Sequence, residues 1–325
     1  MPTKNVENGV TKQREFSYNS SQFGLTSGIL NVNKPRGMAS FGVVRVVRRL
    51  TGIRKVGHAG TLDPIADGVL PICIGSATRM VEQIVSAPKA YRATIRLGEA
   101  TDSYDSEGKV TAVGDPSGVT RDELEAVLQR FIGDIQQQPP MFSALKHKGQ
   151  PLYKYARAGK TVHRDHRTVS IYSLSLLDFE TPLAEIDLEV GRGAYVRTLA
   201  HDLGELLGCH AHLQSLTRTR SGPFSVADAC TLEQLEEAAA AGDWERLLHA
   251  PDSVLESWHA ALLGEEHTRD VRIGRVLVLE PVRPELNQLE IETPCRAYSH
   301  EGEFLAILRY RGAGRWHPER VFAAL

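Results

Sequence analysis

The sequence of 325 residues lacks any apolar run approaching the roughly 20 residues that a membrane-spanning helix requires. Its first 27 residues are polar and aperiodic, without the apolar segment of a secretory signal. We therefore expect a cytoplasmic protein that has no membrane partner. The composition of residues 1–27 also predicts a mobile tail that takes no part in chemistry.

Cysteine is scarce, and the four cysteines lie far apart with no CxxC pair. The sequence therefore favours neither a disulfide framework nor a thiolate zinc site. Cys209, His210 and His212 are close together, but no second group of ligands with suitable spacing accompanies them. We predict reduced, structural thiols and no metal site.

Neither sign of charge is in excess, because 38 basic side chains face 40 acidic ones. The distribution is uneven, however. The first basic segment, residues 34–55, has seven basic side chains and no acidic one, and the second basic segment, residues 141–170, has seven with one acidic and three aromatic residues interleaved. Basic and aromatic side chains together suit a nucleic acid, although each run is also compatible with a solvated helix face.

Apolar periodicity predicts helices and strands in mixed order. Ser40 precedes an apolar stripe at positions 43, 46, 47 and 50, which predicts a helix capped by the Ser40 side chain. Alternating apolar residues predict half-buried strands at 91–97 and 186–190. Because helices and strands do not alternate regularly, we predict an α+β fold rather than a doubly wound parallel sheet. Beyond about Trp258, three short strand candidates predict a small all-β module: 276–281, 289–293 and 304–310.

The most unusual segment is GHAGTLDP at residues 57–64. Pro64 restricts Asp63 toward an extended conformation, while Gly57 and Gly60 permit positive φ or the close approach of a ligand. Such a loop presents one carboxylate to a cleft with little conformational entropy left to lose. An ordinary Asp-Pro turn has the same composition and is the alternative.

This segment and its continuation ADGVLPICIGSATR resemble the catalytic motif of the TruB family of tRNA pseudouridine synthases. Four more blocks resemble the family pattern in order: GILNVNKPRG at 28–37, KAY at 89–91, QPP at 138–140 and GAYVRTLA at 193–200. The resemblance spans about residues 28–235, and five ordered blocks are far more specific than one. Three places depart from the pattern, namely Ala59, Asp67 and Gly191–Arg192. Asp67 would raise the pKa of Asp63 if the two carboxylates faced each other.

The resemblance implies a pseudouridine synthase fold, in which helices flank a large, mixed, mainly antiparallel sheet. It assigns residues 28–257 to the catalytic domain. Residues 258–325 resemble a PUA-like RNA-binding module through Gly274, the GEFLA strand at 302–306 and the WHP sequence at 316–318.

The implied reaction converts uridine 55 in the T-loop of tRNA to pseudouridine. The C1′–N1 bond breaks, the uracil turns, and the base rejoins the sugar through C5, so no cofactor is needed. By resemblance Asp63 is the nucleophile, Arg197 is the cation that keeps it ionised, and Tyr91 stacks on the uracil and assists loss of the C5 proton. Attack at C1′, attack at C6 and a glycal route are all compatible with these residues.

The target base must be flipped out of the RNA stack before the carboxylate reaches it, at a cost of a few kcal/mol. Resemblance assigns the nucleotide contacts to His58, Tyr195, Leu216 and Lys34. The expected partner is the T-arm and elbow of tRNA, with no obligatory protein partner. The predicted contacts to the RNA backbone are Arg45, Arg48, Arg49, Lys146, Lys148, Lys154 and Arg157.

Other interpretations of the same residues stay open. Arg197 would also suit the start of a surface helix, while Tyr91 and Leu216 would also suit a core. The enzyme alternative is a hydrolase of glycosidic bonds, which needs a second carboxylate such as Asp67 or Asp102. The alternative outside enzymology is an RNA chaperone that binds tRNA without chemistry.

Overall fold

The computed structural model describes residues 9–11, 27–279 and 289–322. The predicted mobile tail therefore lies mostly outside the described residues, except for the short strand β1. The strands are β1 (Gly9–Thr11), β2 (Gly28–Lys34), β3 (Val56–His58), β4 (Ala66–Ile74), β5 (Lys89–Leu97), β6 (Glu99–Thr101), β7 (Val110–Val113), β8 (Gly133–Gln137), β9 (Lys146–His147), β10 (Gln150–Pro151), β11 (Arg167–Glu180), β12 (Leu183–Val190), β13 (Ala211–Ser221), β14 (Phe224–Ser225), β15 (Leu248–His249), β16 (His259–Leu263), β17 (Leu277–Val278), β18 (Pro294–Ser299), β19 (Phe304–Tyr310) and β20 (Arg315–Val321). The α-helices are α1 (Ser40–Thr51), α2 (Val81–Ser86), α3 (Arg121–Gln129), α4 (Leu152–Arg157), α5 (Val196–Leu207), α6 (Leu232–Ala241) and α7 (Glu265–Arg272).

The main sheet follows the order β15-β2-β4-β13-β5-β12-β11-β8, with β3 paired to β4 and β14 paired to β13. The β4–β13 pairing is parallel, and the other pairings within it are antiparallel. Helices α1, α3 and α5 pack against this sheet. The predicted α+β class and the large, mixed, mainly antiparallel sheet are confirmed, as are the strands predicted at 91–97 and 186–190.

Helix α1 begins at Ser40, so the predicted capping role of this side chain is wrong. Ala39 occupies the N-cap position and provides no side-chain hydrogen bond. The Ser40 hydroxyl instead donates to the Leu62 carbonyl and accepts from the Leu62 N–H, both at 2.8 Å. Because Leu62 immediately precedes Asp63, this buried hydroxyl fastens the helix to the Asp63 loop.

A second sheet closes the chain in the order β1-β16-β18-β19-β20-β17. The strand predicted at 304–310 is confirmed. Of the candidate at 276–281, residues 277 and 278 form β17, while residues 280 and 281 lie outside the described residues. The strand predicted at 289–293 is wrong, because this stretch forms a turn in which the Thr293 N–H donates to the Glu290 carbonyl. Strand β18 starts at Pro294, which pairs with β19, and pairing with β16 begins at Cys295.

The second sheet shares a hydrophobic core with the main sheet. Ile29, Val69 and Ile84 from the main-sheet side form one buried cluster with Tyr298 and other second-sheet side chains. The second sheet is thus firmly packed against the main sheet, because burial of such side chains contributes about 1.5–3 kcal/mol each.

No helix among the described residues is long and apolar enough to cross a membrane.

Candidate active site

A pocket of about 320 Å³ opens beside the Asp63 loop. Three adjacent strands of the main sheet, β13, β5 and β12, contribute to its walls. Tyr91 on β5 is paired with Arg218 on β13, and Leu216 lies two residues earlier on the same strand. The start of α5 supplies Tyr195 and Arg197. Residues far apart in sequence therefore converge on Asp63.

The Asp63 loop is held by hydrogen bonds from several directions. The Gly37 N–H donates to the Pro64 carbonyl at 2.7 Å, and the Ala66 N–H donates to the Asp63 carbonyl at 3.1 Å. Gly60 adopts φ +101°, a left-handed conformation that favours glycine. These contacts fix the backbone on both sides of the carboxylate, as the sequence predicted for a rigid loop.

Asp63 forms an ion pair with Arg197, in which Oδ2 lies 2.9 Å from Nε. The Arg197 side chain is only 4% exposed, whereas that of Asp63 is 35% exposed toward the pocket. Arg197 Nη1 donates to the Ser103 carbonyl at 3.2 Å and lies 3.4 Å from Asp105 Oδ2. Its Nη2 donates to the Phe142 carbonyl at 2.8 Å. The guanidinium is thus immobilised by three chain segments, while the carboxylate edge stays accessible.

Burial raises the pKa of Asp63 above its ordinary value, and the Arg197 guanidinium opposes this effect. The carboxylate of Asp105 raises the pKa further, whereas Lys34 lowers it. Asp105, to which the sequence assigned no role, is therefore the acidic neighbour that raises the pKa of Asp63, rather than Asp67. A carboxylate with a raised pKa and a fixed cation is typical of a catalytic group.

Of the predicted nucleotide contacts, Tyr195 and Leu216 line the pocket together with Tyr91. Tyr195 is anchored through its main chain, because its N–H donates to Gln137 Oε1 at 2.7 Å and its carbonyl accepts from Gln137 Nε2 at 3.0 Å. His58 lies on β3, half-buried, and is not part of the pocket wall. The structure thus brings two of the four predicted contacts to the pocket wall.

Lys34 is fully buried beneath the pocket rather than in its wall. Its ammonium donates to the carbonyls of Pro35 at 2.9 Å and Met38 at 2.7 Å. Burial lowers its pKa to about 8, although Asp67 and Asp63 act in the opposite direction. Lys34 therefore supports the turn into α1 and places a positive charge behind Asp63.

Two basic residues in the pocket wall, Lys89 and Arg218, received no role from the sequence. The Lys89 ammonium donates to carbonyls at the end of α2, including that of Ala87 at 2.6 Å, and burial lowers its pKa to about 8. Arg218 is 1% exposed, with Nε donating to the Val69 carbonyl at 2.6 Å and Nη2 to the Gly60 carbonyl at 3.1 Å. The period of two between Leu216 and Arg218 on one strand is the signal that would have found the latter.

The predicted backbone contacts lie in two places. In the first basic segment, Arg45 and Arg49 are exposed and line a cavity of about 710 Å³ beside α1. Arg48 is half-buried and donates to the Val56 carbonyl at 2.8 Å, so it contributes to the fold. In the second basic segment, all four predicted contacts are exposed: Lys146, Lys148, Lys154 and Arg157.

Comparisons with known proteins agree with these features. Residues 48–196 match the family model for the N-terminal domain of TruB family pseudouridylate synthase, and residues 197–262 match that for the tRNA pseudouridylate synthase B C-terminal domain. The chain is 44% identical over 298 residues to tRNA pseudouridine synthase B of Pseudomonas paraeruginosa, covering 91% of this chain and 95% of that protein. It is 41% identical over 297 residues to the Dehalococcoides mccartyi protein of the same name, covering 91% and 96%.

Solved structures show the same fold at lower identity. A chain of a Cbf5-Nop10-Gar1 complex superimposes with a TM-score of 0.71 and 24% identity, covering 98% of this chain and 95% of that one. A chain of an H/ACA RNP bound to a substrate RNA containing 2′-deoxyuridine gives a TM-score of 0.70 and 22% identity, covering 98% and 96%.

Proposed function

The chain belongs to the TruB family of tRNA pseudouridine synthases, and we propose that it isomerises uridine to pseudouridine at position 55 in the T-loop of tRNA. The observation that carries the proposal is the Asp63–Arg197 pair at the pocket, with Oδ2 and Nε 2.9 Å apart. A half-exposed carboxylate that faces a pocket from a rigid loop, with its cation buried behind it, suits a nucleophile.

The proposed chemistry needs only side chains of this protein. The C1′–N1 bond breaks, the uracil turns in the pocket, C1′ bonds to C5, and the proton on C5 is lost while N1 gains one. No electrons are exchanged with a second molecule, so no cofactor enters. Asp63 acts as the nucleophile, Arg197 keeps it ionised against the effect of burial, and Tyr91 stacks on the base and assists loss of the C5 proton.

Flipping of the target base fits the size of the site. A pocket of about 320 Å³ is at the lower end of the range for small-ligand sites, about 300–1,000 Å³. Tyr91, Tyr195 and Leu216 give it apolar walls for one base. A uridine stacked in an RNA loop can enter this pocket only if its base leaves the stack, at a cost of a few kcal/mol.

The two basic segments supply the contacts that offset this cost. Arg45 and Arg49 lie about one helical turn apart and line the cavity beside α1. A phosphate backbone bound there can contact both cations. The second basic segment also contributes Ser143 and Ala144 to the pocket wall, and its exposed Lys146 follows two residues later. RNA held by this segment is therefore adjacent to the pocket. We further propose that the second sheet is a PUA-like module that contacts the tRNA away from the T-loop.

The two-carboxylate hydrolase receives no support from the geometry. Neither Asp67 nor Asp102 lines the pocket. Asp105, the carboxylate that does lie near Asp63, is 6% exposed at its side chain, accepts from the Ser103 hydroxyl and pairs with Arg197. It is thus engaged within the protein and does not face a bound sugar from the opposite side.

The test is release of tritium from unmodified tRNA transcript labelled at uracil C5, with nucleoside analysis of the product. Wild-type protein should release tritium and form pseudouridine, Asp63→Asn should do neither, and Asp67→Asn should behave as wild type. Free uracil in place of pseudouridine would indicate the hydrolase. Tight binding of tRNA without any product from wild type would indicate the chaperone.

A further inference from the structure

The loop at residues 102–109, between β6 and β7, holds the catalytic cation through two consecutive contacts. Arg197 Nη1 donates to the Ser103 carbonyl at 3.2 Å and lies 3.4 Å from Asp105 Oδ2. The residue between these two contacts is Tyr104, which adopts φ +65°. This left-handed conformation is uncommon for a bulky residue, and it reverses the chain so that both flanking groups reach one nitrogen.

The ring of Tyr104 is itself held from α5. It stacks on the imidazole of His201 with ring centroids 4.0 Å apart and an interplanar angle of 6°. His201 lies four residues after Arg197, so both side chains lie on the same face of the helix one turn apart. Two side chains on successive turns of α5 therefore hold the loop. Arg197 binds its polar groups at Ser103 and Asp105, and His201 stacks on the Tyr104 ring.

The main chain of Tyr104 completes the connection to the pocket wall. Its carbonyl accepts from the Leu213 N–H at 3.0 Å, and the Ser106 N–H donates to the Leu213 carbonyl at 2.9 Å. Leu213 belongs to β13, the strand that carries Leu216 into the pocket. Neither Tyr104 nor His201 lines the pocket, so direct contact with the base is not their role.

We propose that His201 is a positioning residue for the uridine isomerisation: by stacking on Tyr104 it keeps that residue at positive φ and so fixes Ser103 and Asp105 on the guanidinium of Arg197. Burial and the neighbouring His210 lower the pKa of His201, while Glu205 acts in the opposite direction. The uncharged imidazole favoured by this balance suits a face-to-face stack on a phenol ring. The proposal rests on the proposed function, because its readout is the rate of that reaction.

The test is single-turnover kinetics on unmodified tRNA transcript, using variants shown to be folded by circular dichroism. His201→Ala should lower the rate constant at saturating transcript by about 2- to 10-fold, the range expected from loss of a stacked pair. The affinity for the transcript should not change. His201→Phe, which keeps a flat ring at this position, should have the wild-type rate constant.

Tyr104→Gly removes the other ring of the stacked pair, so it tests the proposal even if His201→Ala does not fold. Glycine tolerates φ +65° but adopts other conformations as readily and offers no ring by which His201 could hold it there, so we expect a similar loss of rate. The double variant should lose no more than either single variant, because both changes remove one contact. The matched control is His249→Ala, which truncates a half-buried histidine packed on Phe224 at the far edge of the main sheet and should leave the rate unchanged.

A pH profile distinguishes positioning of Arg197 from general loosening of the fold. When Arg197 is held less firmly, it opposes the effect of burial on the Asp63 pKa less well, so the acid limb should move to higher pH in His201→Ala and not in His201→Phe. Unchanged rates and limbs in both His201→Ala and Tyr104→Gly would overturn the proposal. So would a loss that His201→Phe does not restore, or one confined to transcript affinity. An inactive wild-type protein would instead refute the proposed function itself.

Discussion

Replacing Arg197 with methionine removes the cation that lies 2.9 Å from Asp63 and also contacts Asp105. The two carboxylates then have no positive charge between them. Breaking a buried ion pair by removing one partner typically costs about 3–5 kcal/mol. The Asp63 side chain is 35% exposed, so solvent screens part of this interaction. We therefore expect a loss of about 2–3 kcal/mol in stabilisation of the ionised carboxylate.

This loss has two measurable consequences. Since one pKa unit corresponds to 1.36 kcal/mol, the acid limb of the single-turnover rate should move up by about 2 pH units. The sign follows from the charges: burial and Asp105 raise the pKa of Asp63, and Arg197 opposes them, so its removal raises the pKa further. Below both pKa values, on the acid limb, this shift should lower the rate about 30- to 150-fold, whereas a loss shared by the ionised ground state and the transition state cancels on the pH-independent plateau.

The assay is tritium release under single-turnover conditions between pH 5 and 9. Arg92→Met is the matched control, because Arg92 also has a carboxylate at 2.9 Å, that of Asp187, but both side chains are exposed. Exposed pairs contribute little, so this variant should keep the wild-type profile. Our account of the site would be refuted by a wild-type acid limb in Arg197→Met, or by an equal loss in Arg92→Met.

Three further predictions concern packing and RNA binding. Gly68→Ala should destabilise the protein by about 2–4 kcal/mol in thermal or urea unfolding, because a Cβ there would collide with the Arg218 main chain. Gly149→Ala, which has positive φ but open space around it, should lose only about 1 kcal/mol, and equal losses would contradict the collision. Arg49→Ala should reduce the slope of log Kd for tRNA against log salt concentration by about 1. Arg130 is exposed but lies outside both basic segments, so Arg130→Ala should leave the slope unchanged. Equal slopes in the two variants would show that the first basic segment does not contact the RNA. Deletion of residues 258–325 should lower the unfolding temperature of the remaining domain, because the deletion exposes the hydrophobic core that the two sheets share. An unchanged melting curve would show that the two sheets are independent.

Local sequence rules predicted the features that depend on near neighbours. Alternation placed Tyr91 in a strand, and the Gly-rich, Pro-bounded loop gave a fixed backbone around Asp63. The resemblance then selected Arg197, which the structure places against Asp63. These predictions succeed because a strand period or a loop conformation is set within a few residues.

The errors arise where a distant partner decides the structure. Ser40 fits the pattern of a helix cap, but its hydroxyl is taken by Leu62, 22 residues away. Residues 289–293 alternate like a strand, yet Ile291 is 67% exposed and the stretch reaches β19 only at the last residue of that strand, Tyr310, through Glu292 and Thr293. Asp105 reaches Arg197 because its loop docks on Leu213, a contact between segments more than 100 residues apart that no local pattern encodes.

The Arg197 guanidinium is oriented in part by main-chain atoms, namely the carbonyls of Ser103 and Phe142. A carbonyl is present whatever the side chain, so both loops are free to accept many substitutions without losing these two contacts. An inserted or deleted residue, by contrast, would shift the register of the carbonyls and misdirect the guanidinium. The geometry of the site therefore constrains the lengths of these loops more strictly than their composition.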